Sequence, residues 1–240
     1  MLDLSGQVAV VTGSTRGIGR AVVGSLAEAG ASVVTTARTT AKVHQAEKEL
    51  REAGHRVLGV TCDVRNPDDC SMLIEQTVQE LGGIDILVNN AGLGIFRPIQ
   101  EMEEEEWLVQ VETNLNGVFY CSRLAVPHMT QRGGGWIINI ASLSARNPIP
   151  GGVAYNATKF GLLGMTEAMM LDLRHEGIRV TSLMPGSVET HFFGEEPRED
   201  ETWRLLPADV ARAVTDVLAY PPRALPSRLE LRPSRPPRKG

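Results

Sequence analysis

The chain has 240 residues, 42% hydrophobic and 22% charged, with a net charge of −5 at pH 7. That length suits one large domain with a sizeable core, read here as residues 1–240 with a Pro- and Arg-rich end from about 221. The acidic balance gives no global attraction to nucleic acid or anionic membrane, no apolar run approaches the roughly 20 residues of a membrane span, the start lacks a basic leader, and Cys62, Cys70 and Cys121 lack ligand spacing, so a soluble cytoplasmic protein with reduced thiols and no metal is expected.

Short β-branched runs then alternate with helical patterns. Residues 7–13 read as a buried strand ending in glycine, and 17–30 as a helix closed by Gly30. Strand 31–38 and helix 40–54 follow, then strand 55–64 and helix 66–82, whose first turn holds a proline and acids that suit the helix dipole. Residues 84–92 form a strand, and a long helical pattern runs from about 104 to 131. The acidic run at 101–106 falls at its start, where carboxylates are favoured. Strand 134–142, helix 152–176, strand 178–186 and helix 207–219 complete the alternation, and 227–233 offers a seventh, edge strand. Repeated β-α-β units predict an α/β fold, a doubly wound parallel sheet of about seven strands with helices on both faces.

Three local features carry chemistry. The first β-α turn, TGSTRGIGR, spaces Gly13, Gly17 and Gly19 between a strand and a helix. Such a turn lets backbone N–H groups and a helix N-terminus approach a phosphate, which points to a dinucleotide. The second strand ends in TTARTT, with Arg38 where an NAD site would place an acid. A guanidinium there, with Arg16 in the glycine turn, suits a 2′-phosphate and hence NADP(H). Further on, Tyr155 and Lys159 stand four residues apart in AYNATKFG and share a helix face. A nearby ammonium favours phenolate, so such a Tyr is a candidate acid–base group. That spacing alone is common on ordinary surface helices.

The motifs in order resemble the short-chain dehydrogenase/reductases of single-domain length, over about residues 5–220. TGSTRGIG looks like the family's glycine-rich turn and brings Ser14, Thr15 and Ile18 into the candidate cofactor set. The resemblance implies that Asp63, with Val64, meets the adenine. It also implies that Asn90, Ala91 and Gly92 form the cofactor-contacting turn after the fourth strand, and that Pro185, Gly186, Val188 and Thr190 meet the nicotinamide end. The implied catalytic set is Asn114, Ser142, Tyr155 and Lys159. Tyr155 would exchange a proton with the substrate oxygen, and Ser142 would hydrogen-bond that oxygen. Lys159 would lower the phenol pKa and hold the nicotinamide ribose, and Asn114 would kink the long helix and hold a water leading to Lys159.

The resemblance implies an NADPH-dependent oxidoreductase acting on a small carbonyl or alcohol, assembled as a homodimer or homotetramer through helices 104–131 and 152–176. A 3-oxoacyl thioester or carrier-protein reductase is the alternative enzyme, and a catalytically silent NADP-binding regulator is the alternative of another class; a turnover assay separates them. Two departures argue against an acidic carrier-protein partner. The chain ends in LELRPSRPP where those reductases show a run like V-D-G-G, and Glu176 replaces a basic residue they often carry. The segment 194–202, with Glu195, Glu196, Glu199, Asp200 and Glu201, is expected to place acids at the pocket mouth, flanked by Phe192, Phe193 and Trp203. The pocket lining is expected from 93–96, 143–150 and 191–203, and the basic tail reads as an extended end rather than a polyanion-binding arm.

Overall fold

A computed structural model describes residues 2–190, 192 and 203–237. The acids from Glu195 to Glu201, with His191, Phe193, Arg198, Arg238 and Lys239, lie outside the described residues. The strands are β1 (Val8–Val11), β2 (Ser32–Ala37), β3 (Val57–Thr61), β4 (Ile86–Asn89), β5 (Gly135–Ile140), β6 (Ile178–Pro185) and β7 (Arg228–Leu231). They form one parallel sheet in the order β3-β2-β1-β4-β5-β6-β7. The helices are α1 (Gly17–Glu28), α2 (Thr40–Glu52), α3 (Pro67–Leu81), α4 (Glu104–Val111), α5 (Gly117–Gln131), α6 (Val153–Leu173) and α7 (Pro207–Leu218).

Side chains alternate across a strand, so each strand feeds two cores. Ala9, Val11, Ile86, Val88 and Ile138 face Val22 and Leu26 of α1 and Val210 and Val214 of α7. Val10, Val34, Leu87 and Ile137 face Leu73 and Ile74 of α3 and Cys121 and Met129 of α5. Both faces are buried, which is why the strands read as continuous apolar runs rather than alternating ones. The three cysteines gather in the second core as free thiols, with the Sγ atoms of Cys121 and Cys70 3.7 Å apart. No helix of the described residues is long and apolar enough to cross a membrane.

Two features of the fold position the site. The chain leaves β1 toward β2 and β3, then returns past β1 to β4, so the connections after β1 and β4 run in opposite directions and open a crevice at the strands' C-terminal ends. The long helix expected at 104–131 is divided. A π-type turn, Glu112–Asn116, separates α4 from α5 and carries Asn114. The acids Glu104, Glu105 and Glu106 fill the first turn of α4, as expected.

Candidate active site

The glycine turn is built by backbone conformations and close contacts that favour glycine. Gly13 and Gly17 adopt φ +64° and +55°, in the left-handed region. A Cβ on Gly19 would collide with the Gly13 carbonyl and the Asn90 amide, so this glycine packs the helix against the turn. Asn90 ties the turns after β1 and β4 together: its Nδ2 donates to the carbonyls of Thr12 (2.9 Å) and Gly13 (3.0 Å). The backbone N–H groups of Asn90 and Ala91 both donate to Thr12 Oγ1 at 3.0 Å. Two loops distant in sequence thus form one wall of the crevice.

That crevice is a cleft of about 560 Å³. One end is lined by Arg16, Arg38 and Lys42, with Asp63 and Val64. The Asp63 carboxylate is held by Arg65, at 3.0 Å from Nε and 2.6 Å from Nη2, and this pair keeps its pKa below the ordinary range. Arg65 thus compensates the acid among the cleft's cations. The middle is lined by Ala91, Gly92 and Val188, with Thr190 closing over the glycine turn: a Cβ on Gly17 would sit 3.4 Å from Thr190 Cγ2. The cradle, the helix N-terminus and the cations at one end fit a dinucleotide whose adenosine carries an extra phosphate.

The other end holds the titratable pair. Tyr155 packs between Phe96 and Phe192, with ring centroids 5.4 and 5.7 Å away. Lys159, on the same face of α6, has its Nζ 5.7 Å from the Tyr155 ring centroid and donates to the Ile140 carbonyl at 3.0 Å. Burial depresses the Lys159 ammonium to about 8. Burial also raises the Tyr155 pKa, against a smaller opposing pull from the Ser142 hydroxyl. Burial and the Ser142 hydroxyl, rather than the cation-driven lowering expected from the spacing, set the direction of this shift. Both groups lie in the same low-dielectric wall, which disfavours phenolate and ammonium alike, and Tyr155 stays a protonated phenol at neutral pH. Ser142 Oγ accepts the Ser144 N–H at 3.1 Å. Its own proton remains available for another acceptor.

A sequence profile described as short chain dehydrogenase matches residues 7–201. The chain belongs to the short-chain dehydrogenase family. It is 40% identical over 190 residues to 3beta-hydroxysteroid dehydrogenase 2 of Eggerthella lenta, covering 78% of this chain and 73% of that one. Its structure superposes with TM-score 0.90 at 30% identity on an alcohol dehydrogenase from the archaeon Thermococcus sibiricus complexed with 5-hydroxy-NADP, covering 97% and 99% of the two chains. It superposes with TM-score 0.87 at 31% identity on a 3-ketoacyl-(acyl-carrier-protein) reductase from Brucella melitensis complexed with NADH, covering 95% and 97%. The chain is thus an oxidoreductase with the Rossmann-type sheet of the short-chain dehydrogenases.

Several residues that the short-chain dehydrogenase resemblance marked serve the turns rather than line the cleft. Ser14 is fully buried. Its Oγ donates to the Val11 carbonyl at 2.7 Å and accepts the Thr36 N–H at 3.0 Å, which fastens the glycine turn to β2. Gly19 lies beneath that turn. Asn114 is a staple: its Nδ2 donates to the Leu93 carbonyl (2.8 Å) and Thr158 Oγ1 (3.0 Å), and its Oδ1 accepts the Leu93 N–H (3.0 Å). Both polar ends of that amide are engaged, so the side chain first fixes the 93 loop to α6. Sequence reasoning left out Lys42, in the first turn of α2 four residues past Arg38, and Thr113, within the π-type turn; both line the cleft. Only proximity to Arg38 signalled Lys42, and nothing in the periodicity signalled Thr113.

Proposed function

We propose that the chain is an NADPH-dependent carbonyl reductase, working reversibly as an alcohol dehydrogenase, with Tyr155 as general acid. The observation that carries this reading is a buried, protonated Tyr155 beside Ser142 and Lys159 at one end of a cleft whose other end is cationic. The bound nicotinamide would supply the hydride. Tyr155 Oη would give its proton to the carbonyl oxygen, and the raised phenol pKa keeps that proton in place until negative charge grows. Ser142 Oγ would donate to the same oxygen. Lys159 spends one N–H on Ile140, leaving two to hold ribose hydroxyls across the gap that Gly92, without a Cβ, leaves open. A panel of ketones and aldehydes followed by NADPH absorbance tests the reading. Turnover of none of them, with cofactor bound, would favour the silent regulator.

The cofactor choice gives a separate expectation. Arg16, Arg38 and Lys42 face the adenosine end, while Arg65 compensates Asp63. Charge-assisted contacts to a 2′-phosphate contribute about 1.5–3 kcal/mol each, so NADP(H) should bind more than about tenfold tighter than NAD(H). The double substitution Ala37→Asp and Arg38→Gln should reverse or erase that ratio. Equal Kd values on the unaltered protein would remove the basis for the preference, and the NADH bound to the Brucella relative marks this as a real alternative.

A 3-oxoacyl thioester substrate is the second reading, favoured by that ketoacyl reductase neighbour. The acids expected to repel a carrier protein lie outside the described residues, whereas Arg232 of the tail does reach the cleft. The preference for a free carbonyl compound therefore rests on the apolar walls, Phe96, Phe192 and Ile149. A free ketone run beside an acetoacetyl carrier protein decides it, a hundredfold advantage for the carrier supporting the second reading.

The reading includes self-association. Trp107, Leu108, Phe119, Phe160 and Leu171 are between 37% and 52% exposed on α4, α5 and α6. Apolar side chains exposed on these helices are candidates for burial against another subunit. A second copy across a two-fold axis would cover them. Light scattering at micromolar concentration should give a dimer or tetramer, and a 26.0 kDa species would contradict this.

A further inference from the structure

The C-terminal segment brings charge to the substrate end of the cleft. The last strand pairs with β6 in register, Met184 opposite Glu230 and Pro185 opposite Leu231. The pairing continues as Gly186 N–H donates to the Leu231 carbonyl at 2.8 Å. Pro233 then seats on Gly186, where a Cβ would come within 2.8 Å of its Cδ. Arg232 is fixed between these two anchored neighbours, next to the Pro185–Gly186 turn, and its side chain lines the cleft.

Glu230 lies on the same side of the strand, two residues back. Its Oε2 accepts from Arg232 Nε (3.1 Å) and Nη2 (2.6 Å), and its Oε1 accepts from Arg146 Nη1 (3.3 Å). One carboxylate serves two guanidiniums, so the trio keeps a net positive charge. Arg232 Nη1 and Arg146 Nε and Nη2 hold no partner among the described residues. Both arginine side chains are 55% exposed, so the pairing orients them more than it neutralises them. Arg146 caps the short turn Leu143–Ala145 that follows Ser142. The two arginines therefore stand on separate segments, the turn after Ser142 and the tail, and of the two Arg232 lines the cleft while Arg146 stands beside it on Glu230. Among the charged residues lining the cleft, Arg16, Arg38, Lys42 and the Arg65-paired Asp63 belong to the adenosine end, and Lys159 is buried behind Tyr155. Arg232 is the charged group left for a substrate among the described lining residues.

We infer that the substrate is a keto acid, or in reverse a hydroxy acid, whose carboxylate is held by Arg232 with Arg146 beside it while its carbonyl lies at Tyr155. This rests on the reductase reading above. A guanidinium fork matches a carboxylate bidentately. The carboxylate undergoes no bond change: hydride adds to the carbonyl carbon, the Tyr155 proton adds to its oxygen, and NADPH leaves as NADP⁺. The apolar walls at Phe96, Phe192 and Ile149 accommodate the chain between the two groups.

The test uses oxo acids with two to six carbons between carbonyl and acid, each beside its methyl ester. It measures kcat/KM with NADPH, and Kd on the NADP⁺-loaded protein by calorimetry. The best acid should exceed its ester by about tenfold, mostly in KM, and added salt should shrink that ratio. Arg232→Gln should bring the ratio toward one, Arg232→Lys should keep part of it, and Arg146→Gln should lower it severalfold. Taking the ratio within each preparation cancels any general loss of activity. A ratio at or below one in the unaltered protein, or a ratio unmoved by Arg232→Gln, overturns the inference. If esters and neutral ketones are reduced but acids gain nothing, the inference fails and the reductase reading stands. If nothing is reduced, the reductase reading fails, and the calorimetric acid-to-ester ratio still decides the inference. A carrier-bound substrate that surpasses every acid a hundredfold and loses this advantage in Arg232→Gln would assign the arginines to a carrier's acidic surface and overturn it too.

Discussion

Replacing Tyr155 by Phe should lower kcat by at least about a hundredfold and as much as 10⁴-fold, while NADPH affinity and thermal stability change little. The ring sits between Phe96 and Phe192, so a phenyl keeps its packing. What is lost is one hydroxyl, held protonated by burial beside Ser142. Removing it leaves the Ser142 hydroxyl as a hydrogen-bond donor to the substrate oxygen but takes away the phenol proton. Steady-state rates with a reducible ketone, beside a fluorescence titration with NADPH, separate the two effects. Retention of more than about a tenth of the activity would mean that another group supplies the proton.

Lys159→Met should abolish most activity and, unusually for a buried substitution, change stability in a pH-dependent way. The ammonium is buried and its pKa is depressed to about 8, against 10.5 in the unfolded chain. Between those values the native state binds fewer protons than the unfolded state, so this group's contribution to stability rises with pH across that window. Below pH 8 the native protein carries the full cost of the buried charge, roughly 3 kcal/mol at about 1.36 kcal/mol per pKa unit. Above pH 10.5 both states hold a neutral amine and the cost is gone. The donation to the Ile140 carbonyl is available to amine and ammonium alike, so losing it affects both pH regimes equally. Denaturant unfolding should therefore show the variant's stability relative to the unaltered protein to be roughly 3 kcal/mol more favourable at pH 7 than above pH 10.5. A flat difference would show that the ammonium is solvated. Activity should fall at least a hundredfold, since the buried ammonium beside Tyr155 is lost.

Much of this architecture is legible in the residues. The apolar runs give the strands because both sheet faces are buried, and glycines end several of the helices: Gly82 and Gly177 take left-handed conformations just past α3 and the turn after α6. The switch point follows from the order of the strands. What periodicity could not reveal was depth. The spacing of Tyr155 and Lys159 shows that they share a helix face, but not that the face is buried in the cleft wall, and burial reverses the expected shift of the phenol. A π-type turn inserts one residue into a helical pattern without breaking it, so the division at Glu112–Asn116 was expected only from the resemblance. Ser14 enters the candidate cofactor set through its motif, yet its hydroxyl turns inward to Val11 and Thr36. The run 227–233 offered the edge strand that forms β7, while the prolines around it suggested an extended end. The pairing of β7 with β6 is decided by neighbours distant in sequence, and it carries Arg232 to the cleft.

The central claim is that hydride from a nicotinamide and a proton from Tyr155 meet on one carbonyl. The most direct measurement follows deuterium from NADPH labelled at the transferring position of C4 into the product of a ketone that the protein turns over. The account predicts one deuterium per product molecule, on the carbinol carbon, with NADP⁺ formed in equal amount and formation of labelled alcohol nearly lost in Tyr155→Phe. Cofactor binding without labelled alcohol from any carbonyl compound, or equal labelled product from Tyr155→Phe, would contradict it.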